Sequence, residues 1–357
     1  MNGDHLSFDV VVGYGCNWRC RYCYERDSGV AYRETAMSED VAARYAAYLK
    51  HMRETNPEAT VSVQIFGGEP MLYFDLIKRI IADAGNAADV YNIVTNGSLT
   101  AEHQAGLLNM SQAAADMGTA LTASVSYDFT FQNDNRQAGS YDTVREAIRW
   151  LHGRDMLRKT ITVFDKSTLP RMDEVFFDFI ALREECPGLR CGYNLDLQGD
   201  LADFDGDAAS AALGRIRDWL REHPEHRGAF FHNSGADRGR AVGEVVNCVN
   251  PDGSVTFGCS SIYRRDELRA RMDYGSIFDD FAELDARLDA ARAELADTLP
   301  ESCRSCESTC RVRPWHGLAE GGDGAWNGLP SEKSCAIRRL VHEYLGAFRG
   351  RAQGGRA

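Results

Sequence analysis

The sequence has no run of roughly 18 apolar residues, so no segment reads as a membrane-spanning helix. Residues 1–8 lack both the basic n-region and the apolar h-region of a secretory signal peptide. Positive charge is short as well: Lys+Arg 40 against Asp+Glu 53 leaves a formal charge of −13. A phosphate-backbone binder needs a basic face, so nucleic acid is excluded as a partner. These absences together predict a cytoplasmic protein that engages no membrane. Apolar side chains are plentiful, at 44% of 357 residues with 10% aromatic. That is enough to bury a sizeable core, either as one barrel-type domain with a smaller companion or as two ordinary domains.

Cysteine is over-represented. There are 11, and in a reducing compartment they are not expected to form disulfides. Cys186 and Cys191 read as small buried core residues, the usual fate of a free cysteine. The others fall in groups: Cys16, Cys20 and Cys23, then Cys248, Cys259, Cys303, Cys306, Cys310 and Cys335. Thiolates bunched at short spacings are the ligands of zinc or of iron–sulfur clusters.

Between these groups the chain alternates strand and helix patterns. Buried-strand runs are predicted at 8–13 (FDVVVG), 61–66, 91–95, 121–127, 160–164 and 191–197. Helical patterns follow them at about 38–52, where Ser38 suits a cap and Val41, Tyr45, Leu49 and Met52 recur at helical spacing, and at 74–84, 101–117, 141–151, 173–184 and 208–221. Six such β/α units imply a parallel sheet with right-handed crossovers, doubly wound or closed into an incomplete barrel. Beyond about residue 228 the pattern changes. A hairpin is expected at 245–258 around Asp252-Gly253, then a helix at 278–295. After the 303–310 cysteines, a last helix carries Ile337, Leu340, Val341, Tyr344, Leu345 and Phe348 on one stripe. The expected division is 1–225, 226–348 and a frayed Gly/Arg-rich tail at 349–357.

Directly after the first strand stands Cys16-x3-Cys20-x2-Cys23, with Tyr22 before the last cysteine. A structural zinc site needs four protein ligands, and no fourth cysteine or histidine lies nearby in sequence. Three thiolates suit a 4Fe–4S cluster with one iron open, and a zinc site completed by a distant residue is the alternative. Gly67-Gly68-Glu69-Pro70 follows the second strand and Thr95-Asn96-Gly97 the third. Ser124, Ser126 and Asp128 close the fourth, and Arg136 follows in an Asp-Asn-Arg triplet. Strand carboxyl ends form the working rim of such barrels, although every one of these residues can also serve as a turn or a cap.

CNWRCRYCYE at residues 16–25 resembles the signature of the radical S-adenosylmethionine superfamily. The resemblance implies a partial (β/α)6 TIM-type barrel. Cys16, Cys20 and Cys23 would hold a 4Fe–4S cluster whose open iron binds the methionine part of S-adenosylmethionine. Reductive cleavage of that cofactor would yield a 5′-deoxyadenosyl radical that abstracts hydrogen from a substrate. By the same resemblance Tyr22, Gly67, Gly68, Glu69, Pro70, Asn96, Ser124, Ser126 and Arg136 surround the cofactor. Glu69 would receive its ammonium, Arg136 its carboxylate, and Asp128 would lie at the substrate.

Cys248, Gly253, Cys259, Cys303, Cys306, Cys310 and Cys335 are similar to the SPASM or twitch extension of peptide-modifying members, which holds one or two auxiliary clusters. The full signature has seven cysteines where this chain has six, and its glycine-to-cysteine gap of x4 is x5 here. Two 4Fe–4S clusters would want about eight ligands. One cluster is therefore open or absent, or an outside residue such as His316 contributes. A zinc ribbon from four of the six stays open too. Tyr14, Trp18, Tyr22 and Tyr24 read as a dry wall around the cluster loop, and Asp196 and Gln198 as residues facing the barrel mouth.

The expected activity is radical modification of a peptide or protein side chain, such as crosslinking or oxidation in the maturation of a ribosomal peptide. An external electron donor of flavodoxin or ferredoxin type is implied. Only residues 1–7 precede the first predicted strand, so a fused leader-binding domain is not expected, and a separate leader-peptide-binding protein would assist. Dehydrogenation or epimerisation of a small molecule such as an aminoglycoside-type sugar is the second expectation. For the epimerase, Cys191 near the mouth of the sixth strand is the candidate hydrogen donor. A zinc-stabilised binding module is the third.

Overall fold

The computed structural model describes residues 5–23, 35–197, 201–233, 247–257, 273–297 and 332–345. They fall into two compact units: Met1–Val125, Thr143–Arg158 and Val245–Glu294 form one, and Ser126–Asp142, Lys159–Glu244 and Leu295–Ala357 the other. The fold is α/β with a parallel sheet, the β/α alternation of a partial (β/α)6 barrel.

In the first unit β1 (His5–Val11), β2 (Thr60–Phe66), β3 (Val90–Thr95) and β4 (Ala120–Ser126) pair in parallel, β1 on β2, β2 on β3 and β3 on β4. Their carboxyl ends therefore point the same way, and the loops that follow β1, β2 and β3 share one rim. Val10, Val11, Val61, Val63, Ile65, Tyr91 and Ile93 are buried between the helices, as a two-sided core strand requires. The crossovers are α1 (Glu39–Thr55), α2 (Phe74–Ala84) and α3 (Ala101–Asp116). The cap expected at Ser38 is present, its hydroxyl accepting from Val41 N at 3.2 Å, and Val41, Tyr45, Leu49 and Met52 are buried. α4 (Tyr141–His152) follows β4.

The hairpin of β8 (Asn247–Val249) and β9 (Ser254–Phe257) turns at Asp252-Gly253, where Gly253 has φ +86° and Ser254 N donates to Asp252 Oδ1 at 3.0 Å. β8 pairs in parallel with β1, Phe8 opposite Asn247, and β10 (Asp273–Ser276) pairs antiparallel with β9. α7 (Phe281–Asp297) is fastened to α1, where Tyr48 Oη donates to Asp285 Oδ1 at 2.6 Å. Residues 247–257 and 273–294 therefore pack with the first strands, although the sequence pattern opens a separate domain near 226. Parallel pairing onto β1 is the cause, and nothing local in the sequence announces which strand a hairpin will join.

In the second unit β5 (Leu157–Phe164), β6 (Cys191–Leu195) and β7 (Phe230–His232) pair in parallel. α5 (Met172–Glu185) and α6 (Gly206–Glu222) are the crossovers. The three-residue β7 is too short to show a period, and the sequence pattern does not predict it. α8 (Glu332–Leu345) packs on α6, with the Arg217 guanidinium 5.0 Å from the Tyr344 ring centroid. Ile337, Val341 and Leu345 of its stripe are buried, Leu340 and Tyr344 half-buried, and Phe348 lies outside the described residues. No helix among the described residues is long and apolar enough to cross a membrane.

Candidate functional site

The loop after β1 and the loop after β2 are joined backbone to backbone. Val12 N donates to Phe66 O (3.0 Å), Gly68 N to Gly13 O (3.0 Å) and Glu69 N to Gly15 O (2.8 Å). The approach explains the paired glycines: a Cβ on Gly68 would stand 2.3 Å from Gly15 O, and Gly67 has φ +152°. Tyr73, three residues past Pro70, closes the joint from beneath, its phenol oxygen accepting from Gly15 N at 2.8 Å. The sequence reading passes over Tyr73. Pro70 opens a short 3-10 helix, Pro70–Tyr73, whose cap is Glu69 itself.

Cys16 follows Gly15 immediately, so this joint sets where the cysteine loop begins. Cys23 N donates to Cys20 O at 3.2 Å, turning the loop back, and Trp18 N donates to Cys16 Sγ at 3.4 Å, a bond of the kind that tunes a ligating sulfur. Burial pushes the Cys16 thiol up to about 12, and the neighbouring charges of Glu69, Cys20 and Cys23 push the same way. A bound iron–sulfur cluster would supply the positive charge that makes all three thiolates stable. Among the described residues no three His, Cys, Asp or Glu side chains are drawn together as ligands of a single ion. The donor set suits a cluster. Tyr14 and Trp18 are buried beside the loop, Tyr22 is half-buried, and Tyr24 lies outside the described residues.

Glu69 is 1% exposed. Its Oε1 accepts from Thr95 Oγ1 (2.7 Å) and Met71 N (3.1 Å), and its Oε2 from Asn96 N (2.7 Å). Burial pushes its carboxyl up to about 7, against the pull of those three donors. The Asn96 side chain bonds within the rim: Nδ2 donates to Asn17 Oδ1 at 2.8 Å, and Oδ1 accepts from Ser98 N at 2.9 Å. Ser124 is wholly buried within the sheet, donating to Asn92 Oδ1 at 3.0 Å.

In the second unit, Ser126 ends β4 and Asp128 follows, 1% exposed. Asp128 pairs with Arg136, Nε to Oδ2 at 3.2 Å, and accepts from Thr162 Oγ1 (3.1 Å), Val163 N (3.2 Å) and Asn135 Nδ2 (3.3 Å). The guanidinium expected to meet a cofactor carboxylate is thus engaged with a protein one. Asp196 lies just beyond β6, its amide donating to Phe164 O at 2.8 Å.

Cys191 is not at a strand mouth. It is the first residue of β6, fully buried, at the amino end of the strand, and burial pushes its thiol up to about 12. Cys186 is buried too. Cys248 sits on β8 in the first unit's core against Val11, Tyr14 and Phe66, and Cys335 is half-buried on α8 in the second unit. Cys259, Cys303, Cys306, Cys310, His316 and Gln198 lie outside the described residues.

A parallel β/α domain with a three-thiol loop on the carboxyl end of its first strand, locked to a Gly-Gly-Glu turn on the second, is the class this arrangement defines. Residues 10–176 match the model of the Radical SAM superfamily. The chain is 30% identical over 107 residues to the radical SAM cyclopropyl synthase TigE of Paramaledivibacter caminithermalis, a match covering 26% of this chain and 22% of that one. It thus spans about a fifth of that relative's length. Its fold resembles that of polyhistidine-tagged anSMEcpe with bound AdoMet (TM-score 0.70, 16% identity, 96% of this chain and 97% of that one). It also resembles native anSMEcpe with bound AdoMet and the Cp18Cys peptide (TM-score 0.69, 18% identity, the same coverage).

Proposed function

We propose that this chain is a radical S-adenosylmethionine enzyme that modifies a peptide or protein side chain. The observation that carries the cofactor half of this reading is the joint between the cysteine loop and the Gly-Gly-Glu turn. Cys16, Cys20 and Cys23 would hold a 4Fe–4S cluster, which with bound S-adenosylmethionine supplies one-electron cleavage of the sulfonium to a 5′-deoxyadenosyl radical. Glu69 offers a buried carboxylate met only by neutral donors, so a cofactor ammonium would gain a full charge pair there.

The peptide half rests on likeness: the fold is shared with a protein captured with a peptide. A substrate radical of this kind needs an external one-electron donor at the start of the cycle. For oxidative outcomes it also needs an acceptor at the end, which auxiliary clusters at Cys248, Cys259, Cys303, Cys306, Cys310 and Cys335 would provide. No observation favours the small-molecule epimerase.

The test is anaerobic. Protein reconstituted with iron and sulfide, then given reductant and S-adenosylmethionine, is expected to release 5′-deoxyadenosine, and the Cys20→Ala protein none. Equal release from both sinks the assignment. Substituting Cys306 in a protein that still folds should spare uncoupled cofactor cleavage while abolishing peptide product.

A further inference from the structure

The cysteine loop has a second attachment, separate from the backbone joint. Asn17, between Cys16 and Cys20, is bonded at both ends of its amide to the loop after β3. Its Oδ1 accepts from Asn96 Nδ2 at 2.8 Å, and its Nδ2 donates to Ser98 Oγ at 2.9 Å. Ser98 N in turn donates to Asn96 Oδ1 at 2.9 Å, closing a three-membered ring of hydrogen bonds. Asn96 is itself anchored by its backbone, whose N–H donates to Glu69 Oε2. The chain of contacts therefore runs from the buried Glu69, through Asn96, to the middle of the cysteine loop.

We propose that Asn17 is a positioning residue for the cluster: the Asn17–Asn96–Ser98 clasp restrains the Cys16–Cys20 span before any iron binds. This rests on the function proposed above. A loop of three cysteines that must present thiolates to a cluster otherwise loses conformational entropy on loading. A clasp formed by the chain's own side chains removes part of that cost in advance, which is preorganisation of a metal site by residues that touch no metal. Asn17 is exposed and packs into no core, so its bonds are not needed to fold the unit. That separates a positioning role from a structural one. The clasp also assigns Asn96 a use other than the cofactor contact implied by resemblance: both ends of its side-chain amide are spent on the loop.

The experiment compares wild type, Asn17→Ala, Asn96→Ala, the double variant and Asn17→Asp. In the metal-free protein, amide hydrogen exchange over residues 12–23 is expected to quicken by about tenfold in each alanine variant, the worth of one or two neutral hydrogen bonds. The double variant should be no faster than the singles, because either change opens the same ring. In reconstituted protein, release of iron to a chelator should quicken by a similar factor. Asn17→Asp, whose carboxylate accepts from Asn96 Nδ2 and from the Ser98 hydroxyl, should restore slow exchange and slow release. Thermal unfolding of the Asn17 variants should be unmoved, since Asn17 is exposed. Alanine variants that exchange and release iron at the wild-type rate overturn the clasp, as does additivity in the double variant. If instead wild-type protein takes up no cluster at Cys16, Cys20 and Cys23, the proposed function fails, and the metal-free exchange still judges the clasp by itself.

Discussion

Two carboxylates, each 1% exposed, stand just past strand ends in the two units. Glu69 follows β2, and Asp128 follows β4. Asp128 has its cation: the Arg136 guanidinium pairs with it, and Thr162, Val163 N and Asn135 fill its remaining acceptor sites. Glu69 has only neutral donors, Thr95, Met71 N and Asn96 N, and its carboxyl is raised to about 7. The difference teaches which of the two has use for a positive ligand. A buried carboxylate with a resident guanidinium gains little from an incoming ammonium, whereas one held by dipoles alone gains a charge pair. The electrostatics therefore favour Glu69 over Asp128 as the place for an incoming ammonium.

The largest effect should come from breaking the compensated pair. Arg136→Ala leaves the Asp128 charge buried without its cation, and is expected to destabilise the metal-free protein by about 3–5 kcal/mol. Removing Glu69 as Glu69→Ala strands neutral donors instead, at about 1–3 kcal/mol. Urea unfolding at pH 8 measures both. The comparison is broken if the Glu69 variant is the less stable of the two.

Next in size is a pH effect. The folded Glu69 carboxyl titrates near 7 and the unfolded one near its ordinary 4.5, so the folded state holds the proton more tightly. Its contribution to stability is fully present below about pH 4.5 and is lost as pH rises through about 7. Metal-free protein should therefore show a stability decline over that window that Glu69→Gln lacks. Parallel pH profiles for the two proteins would mean Glu69 is not held as its surroundings imply.

The cofactor itself sharpens the contrast. With the charge pair at stake, Glu69→Gln should weaken S-adenosylmethionine binding to the reconstituted protein by about one to two orders of magnitude, the worth of a charge-assisted bond. Titration calorimetry under anaerobic conditions reads it. Unchanged affinity would leave Glu69 as a loop anchor alone.

The sequence made the positions of these groups legible but not their partners. The β/α order, the helix beginning at Phe74 and the Ser38 cap follow from periodicity and capping chemistry, because each is a local rule. The Cys-x3-Cys-x2-Cys and Gly-Gly-Glu-Pro spacings likewise pointed to two loops on one rim. Hidden from sequence was the way those loops lock together. Tyr73 meets Gly15 across 58 positions of chain, and Asn17 meets Asn96 across 79. Neither residue type carries a signal for such a partner. Cys191 needs no tertiary information: the first residue of a parallel strand lies at its amino end by chain direction alone. That β8 joins β1 was hidden too, since only tertiary structure decides that pairing.

The finest test of the comparison uses Thr95, whose hydroxyl donates to Glu69 Oε1 at 2.7 Å and accepts from Gly97 N at 3.1 Å. Thr95→Val keeps shape and burial while deleting one donor to the carboxylate. A hydrogen bond to a charged acceptor is worth about 1.5–3 kcal/mol and one to a neutral acceptor about 0.5–1.5 kcal/mol. Glu69 is charged at pH 8 and protonated at pH 5, whereas the bond to Gly97 N is the same at both. The substitution should therefore cost about 1 kcal/mol more at pH 8 than at pH 5, and the Glu69 titration should move upward. If neutral dipoles are what hold this charge, taking one away must make the charge dearer. Equal cost at the two pH values would mean that the carboxylate draws its stability from elsewhere, and the contrast with Asp128 would lose its physical basis.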